Sequence, residues 1–130
     1  GRNLLISFRE SVARELDTII GETVNSVYSP DELAQIVTNV VETWASKPDV
    51  EDIEVILNSN DVKLLNETAF ATLKDRISKG ITLKANDNFD GGFRIAVNNG
   101  SAYYDFSAEA VVDMISNYLS PRVTELLKEA

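Results

Sequence analysis

The chain has 130 residues, 44% of them hydrophobic and 25% charged, which is one domain's worth of sequence with enough apolar surface for a core of its own. It has neither cysteine nor histidine, which excludes disulfides, thiol chemistry, histidine-bearing zinc sites and Ser-His-Asp catalysis together. A net charge of −9 argues against nucleic acid or an anionic membrane as the main partner, because those surfaces reward clustered Lys and Arg.

The first predicted element is a long helix from about Asn3 to Val27. Leu5, Phe8, Val12, Leu16, Ile19, Ile20, Val24 and Val27 recur in steps of three or four. Leu5, Leu16 and Val27 lie eleven apart, as do Phe8 and Ile19, an interval that favours a slight right-handed coil. Ordinary amphipathic docking explains the same stripe. No clear cap precedes the first turn and the stripe begins at once, so the helix is expected to continue upstream in a longer chain, with Gly1 a cloning remnant. Gly21 costs about 1 kcal/mol relative to Ala inside a helix and marks a candidate bend.

Ser29-Pro30-Asp31-Glu32 then carries the pattern of a capping box, with proline at the first helical position. Leu33, Ile36, Val37, Val40, Val41 and Trp44 form one apolar face, which Lys47-Pro48 ends. The two helices predict a helical hairpin broken at Tyr28-Ser29-Pro30. Trp44, the lone tryptophan, reads as a packing anchor. From Asp31 to Asp61 there are eight acidic residues against Lys47 alone. A solvated face and steering toward a basic protein surface both account for this run.

Ile53 to Leu57 reads as a strand buried on much of both faces. Asn58, Ser59 and Asn60 turn and cap a helical stretch carrying Leu64, Leu65, Phe70, Leu73 and Ile77, with an interruption near Asn66-Glu67-Thr68. Lys79-Gly80 is the expected stop, with glycine in the left-handed position after the helix. Ile81, Leu83 and Ala85 give a second strand. Asn86 to Gly91 spaces its oxygens like the opening of a calcium loop, but Val97 stands where the closing glutamate belongs. A connecting turn is the better reading.

The last forty residues are the most informative. Gly91-Gly92 frees the backbone for a bulge or close approach at the entry of a strand carrying Phe93, Ile95 and Val97. Asn99-Gly100 is the dipeptide suited to a type I′ hairpin, since both central residues need positive φ. The return strand puts Ala102, Tyr104 and Phe106 on one face and Ser101, Tyr103 and Asp105 on the other. Ser107 caps a final helix with Val111, Val112, Ile115 and Leu119, broken at Ser120-Pro121-Arg122. The whole predicts an α+β chain: an N-terminal helical hairpin, a small mixed sheet of about four strands packed with helices, and a helical C-terminus.

This order of parts resembles the C-terminal domain of the E subunit of V-type and A-type rotary ATPases, the peripheral-stalk family. The matching features are Gly91-Gly92, Asn99-Gly100, the strand end Tyr104-Asp105-Phe106-Ser107, Leu119-Ser120-Pro121-Arg122 and Leu126-Leu127, with Ile53 to Leu57 and Asn60-Asp61-Val62 upstream. The resemblance covers roughly residues 50 to 130. The family commonly has Asp-Asn-Thr where this chain has Asp105-Phe106-Ser107, and a Leu-Phe-Gly-like end in place of Leu127-Lys128-Glu129-Ala130. Ser107 keeps the capping oxygen, while the tail departs from the family's pattern.

The resemblance implies a non-catalytic stator that ties the ATPase head against rotation, cytoplasmic and peripheral to the membrane, without inserting into it. It divides the chain into the end of a stalk helix, residues 1–28, and a head-binding unit, residues 29–130. The partners it implies are a second stalk protein of the G or H type along the first helix, and the head, chiefly its non-catalytic B subunit. Leu5, Phe8, Val12 and Leu16 are the candidates for the arm contact; Arg122, Leu126 and Leu127 are those for docking near the C-terminus. An intramolecular clasp between the first and last helices explains the same residues. No catalytic, cofactor or metal-binding residue is nominated. Alternatives are a stator-like regulator of a flagellar or type III export ATPase, and a regulatory domain with a small-molecule pocket between sheet and helices. An acid-catalysing enzyme using Asp87, Asp90 and Asp105 is the most distant.

Overall fold

Alternation along residues 52–57 organises the structure: Ile53, Val55 and Leu57 are buried while Asp52, Glu54 and Ile56 are only partly so. The computed structural model describes residues 2–76 and 79–129. Its elements are α1 (Arg2–Val27), α2 (Pro30–Ala45), β1 (Asp52–Leu57), α3 (Ser59–Asn66), α4 (Ala69–Arg76), β2 (Gly80–Ala85), β3 (Gly92–Val97), β4 (Ala102–Ser107) and α5 (Ala108–Glu129). The strand order is β2-β1-β3-β4. β1 pairs parallel with β2 through the α3–α4 crossover and antiparallel with β3, which pairs antiparallel with β4. The result is the α+β arrangement with a four-stranded mixed sheet.

Leu33, Val37 and Val41 of α2, Leu65 of α3, and Phe70 and Leu73 of α4 close over Ile53, Val55, Leu57, Ile81, Phe93, Ile95 and Val97. Each such side chain contributes about 1.5–3 kcal/mol by leaving water. Only one sheet face is backed by helices, so β1 is buried on one side rather than on both as its branched residues suggested. The opposite face carries Asp52, Glu54, Thr82, Lys84 and Arg94.

Several local expectations change. α1 packs along α5 and does not fold back on α2 as a hairpin. Ser29 is the N-cap of α2 by its backbone, but its hydroxyl makes no cap bond. Its N–H already donates to the Ser26 carbonyl at 3.2 Å, so the reciprocal arm of a capping box has no free donor. Gly80 opens β2 beside Asp52 without a left-handed φ. Ile77 lies outside the described residues. α5 runs unbroken through Pro121. Pro121 withholds the N–H that the Asn117 carbonyl would take, and both residues are exposed, so water can replace the missing bond.

The turn at 86–91 docks onto the start of α3. Asn58 accepts from Asp61 N at 2.9 Å and donates to the Asp90 carbonyl at 2.7 Å. Asp87 accepts from Ser59 N at 2.8 Å and from its hydroxyl at 2.6 Å. These bonds hold the Asp87 carboxyl below the usual range.

Gly92 sits where three segments converge. Its φ is +77°, and a Cβ there would press into the Phe106 carbonyl and lie 2.8 Å from both Ala108 N and Tyr28 Cε2. Replacing Gly92 with Ala combines left-handed strain with a backbone clash, and is expected to cost about 3 kcal/mol or more. Urea unfolding of Gly92→Ala against Gly91→Ala checks this, because a Cβ on Gly91 would meet only Ala108 Cβ at 3.5 Å.

Asp105 braces the same corner. Its carboxylate accepts from Ser107 N at 2.9 Å and pairs with Arg94 Nε at 3.4 Å, while Ser107 Oγ accepts from Ala110 N at 3.3 Å and caps α5. Burial pushes the carboxyl up, but the Ser107 bonds and the Arg94 charge outweigh it and hold it below its ordinary value. A depressed carboxyl stabilises the fold above its unfolded pKa of about 3.9 and loses that contribution as pH falls through the lower folded value. Asp105→Asn is therefore expected to be less stable than the parent at about pH 7, with the gap closing below about pH 4. Unfolding midpoints measured across that range test it.

Candidate interaction surface

The position of a Cβ on Gly92 falls against both Tyr28, just past α1, and Ala108, the first residue of α5. The end of α1 thus meets the start of α5, and the two helices, packed along each other, run antiparallel. With 26 and 22 residues they span roughly 39 and 33 Å at 1.5 Å per residue. The sheet lies at one end of this pair.

Burial along α1 is graded accordingly. Ile20 and Val24 are buried, Val12 and Leu16 are half-buried, and Leu4, Leu5 and Phe8 are 72%, 56% and 55% exposed. At the far end of α5, Leu126 is 67% exposed and Leu127 half-buried. The antiparallel course brings these leucines to the first turns of α1, so Leu4, Leu5, Phe8 and Leu126 share one end of the pair. Exposed apolar side chains gathered at one end of a helical pair are candidates for an interaction surface. Arg122 stays on its own helix: its guanidinium lies 3.7 Å from the Tyr118 ring centre and donates to the Tyr118 carbonyl at 2.6 Å.

Sequence reasoning missed Leu4 and Ile6 at that end, and Met114 and Tyr118 along α5, all exposed. Met114 and Tyr118 stand four apart on one helix face, a spacing visible in the sequence. Val12 and Leu16 were expected on an arm contact, and here they are half covered within the α1–α5 pair.

The sheet end carries a run of rings. Trp44 lies 4.7 Å from Tyr104, which stacks with Phe106; Phe106 lies 5.3 Å from Phe93, and Phe93 meets Tyr28 edge-on. Burial, with the nearby Asp105 charge, pushes the Tyr28 hydroxyl up. Tyr103 and Tyr104 remain exposed on β4, an outer strand of the sheet. Arg94 stacks 4.5 Å from the Phe89 ring centre.

The space between sheet and helices, where a small-molecule pocket was the alternative expectation, is filled by the core, with Val37, Val41, Val55, Leu57 and Ile95 wholly buried. A groove of about 500 Å³ lies on the opposite sheet face, lined by Asp52, Glu54, Thr82 and Ala96. Among the described residues no group of three or more Asp or Glu is placed to hold a metal, and no helix is long and apolar enough to cross a membrane.

No family model matches the chain. Curated relatives do. The V-type ATP synthase E subunit of Treponema denticola is 46% identical over 130 residues, all of this chain and 63% of that protein. The V-type proton ATPase E subunit of Treponema pallidum is 37% identical over 126 residues, 97% of this chain and 54% of that protein. The V-type ATP synthase E subunit of Borreliella afzelii is 30% identical over 128 residues, 98% of this chain and 63% of that protein. The chain thus spans between 54% and 63% of the length of these relatives. Along its own full length it is similar to V-type ATP synthase E subunits.

Proposed function

We propose that this chain is the docking portion of a peripheral-stalk protein that anchors the catalytic head of an ion-translocating rotary ATPase against rotation. The observation that carries the reading is the 46% identity to a V-type ATP synthase E subunit across every residue of the chain. The α1–α5 pair suits a stalk: it reaches away from the sheet and ends in exposed Leu4, Leu5, Phe8 and Leu126. In this reading Leu5 and Phe8, with Val12 and Leu16 in their half-buried positions, meet a second stalk protein of the G or H type. The unit at residues 29–130 grips the head, chiefly the non-catalytic B subunit, with Arg122, Leu126 and Leu127 near the C-terminus as its docking candidates.

The work is mechanical. A stator resists torque through a broad, well-packed interface and turns nothing over, so the chain itself is non-catalytic. It acts in the cytoplasm at the membrane periphery, tied to the membrane sector only through the complex. The relatives' names favour this role over that of a flagellar or export-ATPase regulator, which shares the architecture.

Binding to the purified ATPase head tests the reading, with the full-length protein and its stalk partner in one arm and this chain in the other. Saturable binding by both is expected. Replacing Leu5 and Phe8 with Asp is expected to weaken capture of the stalk partner by about tenfold or more, while the thermal midpoint moves little because both side chains are exposed. Failure of either wild-type form to bind the head sinks the stator reading.

A further inference from the structure

Asn99-Gly100 is the one Asn-Gly step in the sequence. Asn98, Asn99 and Gly100 take φ of 52°, 56° and 84°, and Ser101 N donates to the Asn98 carbonyl at 3.2 Å, which makes a left-handed turn of the I′ kind. The two asparagines do different work. The Asn98 carboxamide is fully engaged: it accepts from Glu51 N at 2.7 Å and Asp52 N at 3.4 Å, and donates to the Asp49 carbonyl at 2.8 Å. The side chains of Asn58 and Asn86 are likewise hydrogen-bonded. Asn99 is exposed, and its carboxamide makes no hydrogen bond among the described residues. Only its backbone is held, donating to Asp52 Oδ1 at 3.1 Å. Beside it, nothing lies within 4 Å of where a side chain on Gly100 would stand.

We propose that Asn99 is a site of spontaneous intramolecular deamidation. The Gly100 backbone nitrogen attacks Asn99 Cγ and forms a new N–C bond. The Cγ–Nδ2 bond breaks, and the amide nitrogen leaves as ammonia, taking up the proton lost from Gly100 N. Water then opens the five-membered imide at one of its two carbonyls, placing hydroxyl on that carbon and returning a proton to the nitrogen. Opening at Cγ gives aspartate. Opening at the main-chain carbonyl gives isoaspartate, whose backbone runs through the former side chain and is one methylene longer. Water is the sole co-reactant, and either product adds one negative charge.

The closed turn restrains this step. Gly100 N–H donates to the Val97 carbonyl at 3.1 Å, which holds the attacking nitrogen within the turn. The reaction therefore runs from the opened turn. Opening involves the exposed residues 99–101 alone, since Asn98 stays tied to the loop before β1, and local openings of surface turns lie at the low end of the stability range. The products act on that tie. A carboxylate at 99 adjoins the N–H that Asp52 Oδ1 accepts, so its charge opposes that of Asp52, and the isoaspartyl form adds a methylene between Cα of residue 99 and Gly100. Deamidation thus loosens the contact between the hairpin tip and β1, and makes the acidic groove at Asp52 and Glu54 more negative.

The test is to age the intact chain at mildly alkaline pH, digest it, and locate amide-to-acid conversion by fragmentation, with isoaspartate labelled by a carboxyl methyltransferase. The expected result is conversion at Asn99 in the native chain, slower by about tenfold than in urea, where the turn is always open. Asn98 and Asn117, in the same tryptic segment, are expected to stay intact in the native chain. Gly100→Ala is expected to slow the reaction by about tenfold, because a Cβ crowds the attacking nitrogen. Measuring that variant in urea too separates chemistry from any folding defect. Equal conversion at Asn98, an undiminished rate in Gly100→Ala in urea, or a native chain that stays unmodified while the unfolded chain converts completely overturns the proposal.

Discussion

The structure depends on the close approach at Gly92. Two backbone segments and the Tyr28 ring occupy the volume that any side chain there would need. The residue can make this approach because glycine takes a φ of +77° without penalty. From that point the Ala108 N–H reaches the Gly91 carbonyl at 3.0 Å, so α5 leaves the sheet at a set angle. Ser107 Oγ takes the Ala110 N–H of the first turn, Asp105 accepts from Ser107 N just before the helix, and Arg94 balances the carboxylate. α1 arrives at the same corner through Tyr28. The direction of the helical pair relative to the sheet is therefore decided within a few residues.

Stability is divided unevenly as a consequence. The helices over the sheet bury Leu33, Val37, Val41, Leu65, Phe70 and Leu73, whereas α1 packs mainly against α5 and keeps its first turns in water. A two-helix contact removes far less apolar surface than a sheet face covered by three helices. The free end of the pair is thus the part whose local opening costs least, and the core around Val55 and Ile95 the part whose opening costs most. An incoming helix on Leu4, Leu5 and Phe8 would supply the burial that α5 leaves undone.

Much of this was legible in residue spacing. Strand alternation at 53–57, 93–97 and 102–107, the Asn-Gly turn and the Ser107 cap follow from short-range rules, and they led to the family resemblance. The glycine pair announced a close approach but not its partners, because Tyr28 lies far away in sequence. The pairing of α1 was harder to foresee. Its stripe serves equally for a hairpin with α2, a clasp with α5 or an intermolecular coil, and periodicity alone does not choose among them. Local rules also failed where neighbours competed: Ser26 took the donor a capping box needed, and Pro121 passed inside a helix because its missing bond faces water. The surface residues Met114 and Tyr118 escaped attention because exposure is a property of the packed molecule.

A tie that carries load, the role proposed for this chain, places particular demands on its interior. Buried polar groups that shift between partners would let the two ends move independently, and the connection between sheet and helical pair has few of them. Ser107 is the one buried polar residue among those described, and its hydroxyl caps α5. The rest of the passage from α2 to α1 is aromatic, through Trp44, Tyr104, Phe106, Phe93 and Tyr28. Of these rings Phe93 is buried in the core, where crystal-like packing leaves little room to yield, while Tyr104 is exposed at the edge. Force applied along α1 and α5 thus enters the sheet through Tyr28, Gly92 and the Ser107 cap, the same corner that sets their direction.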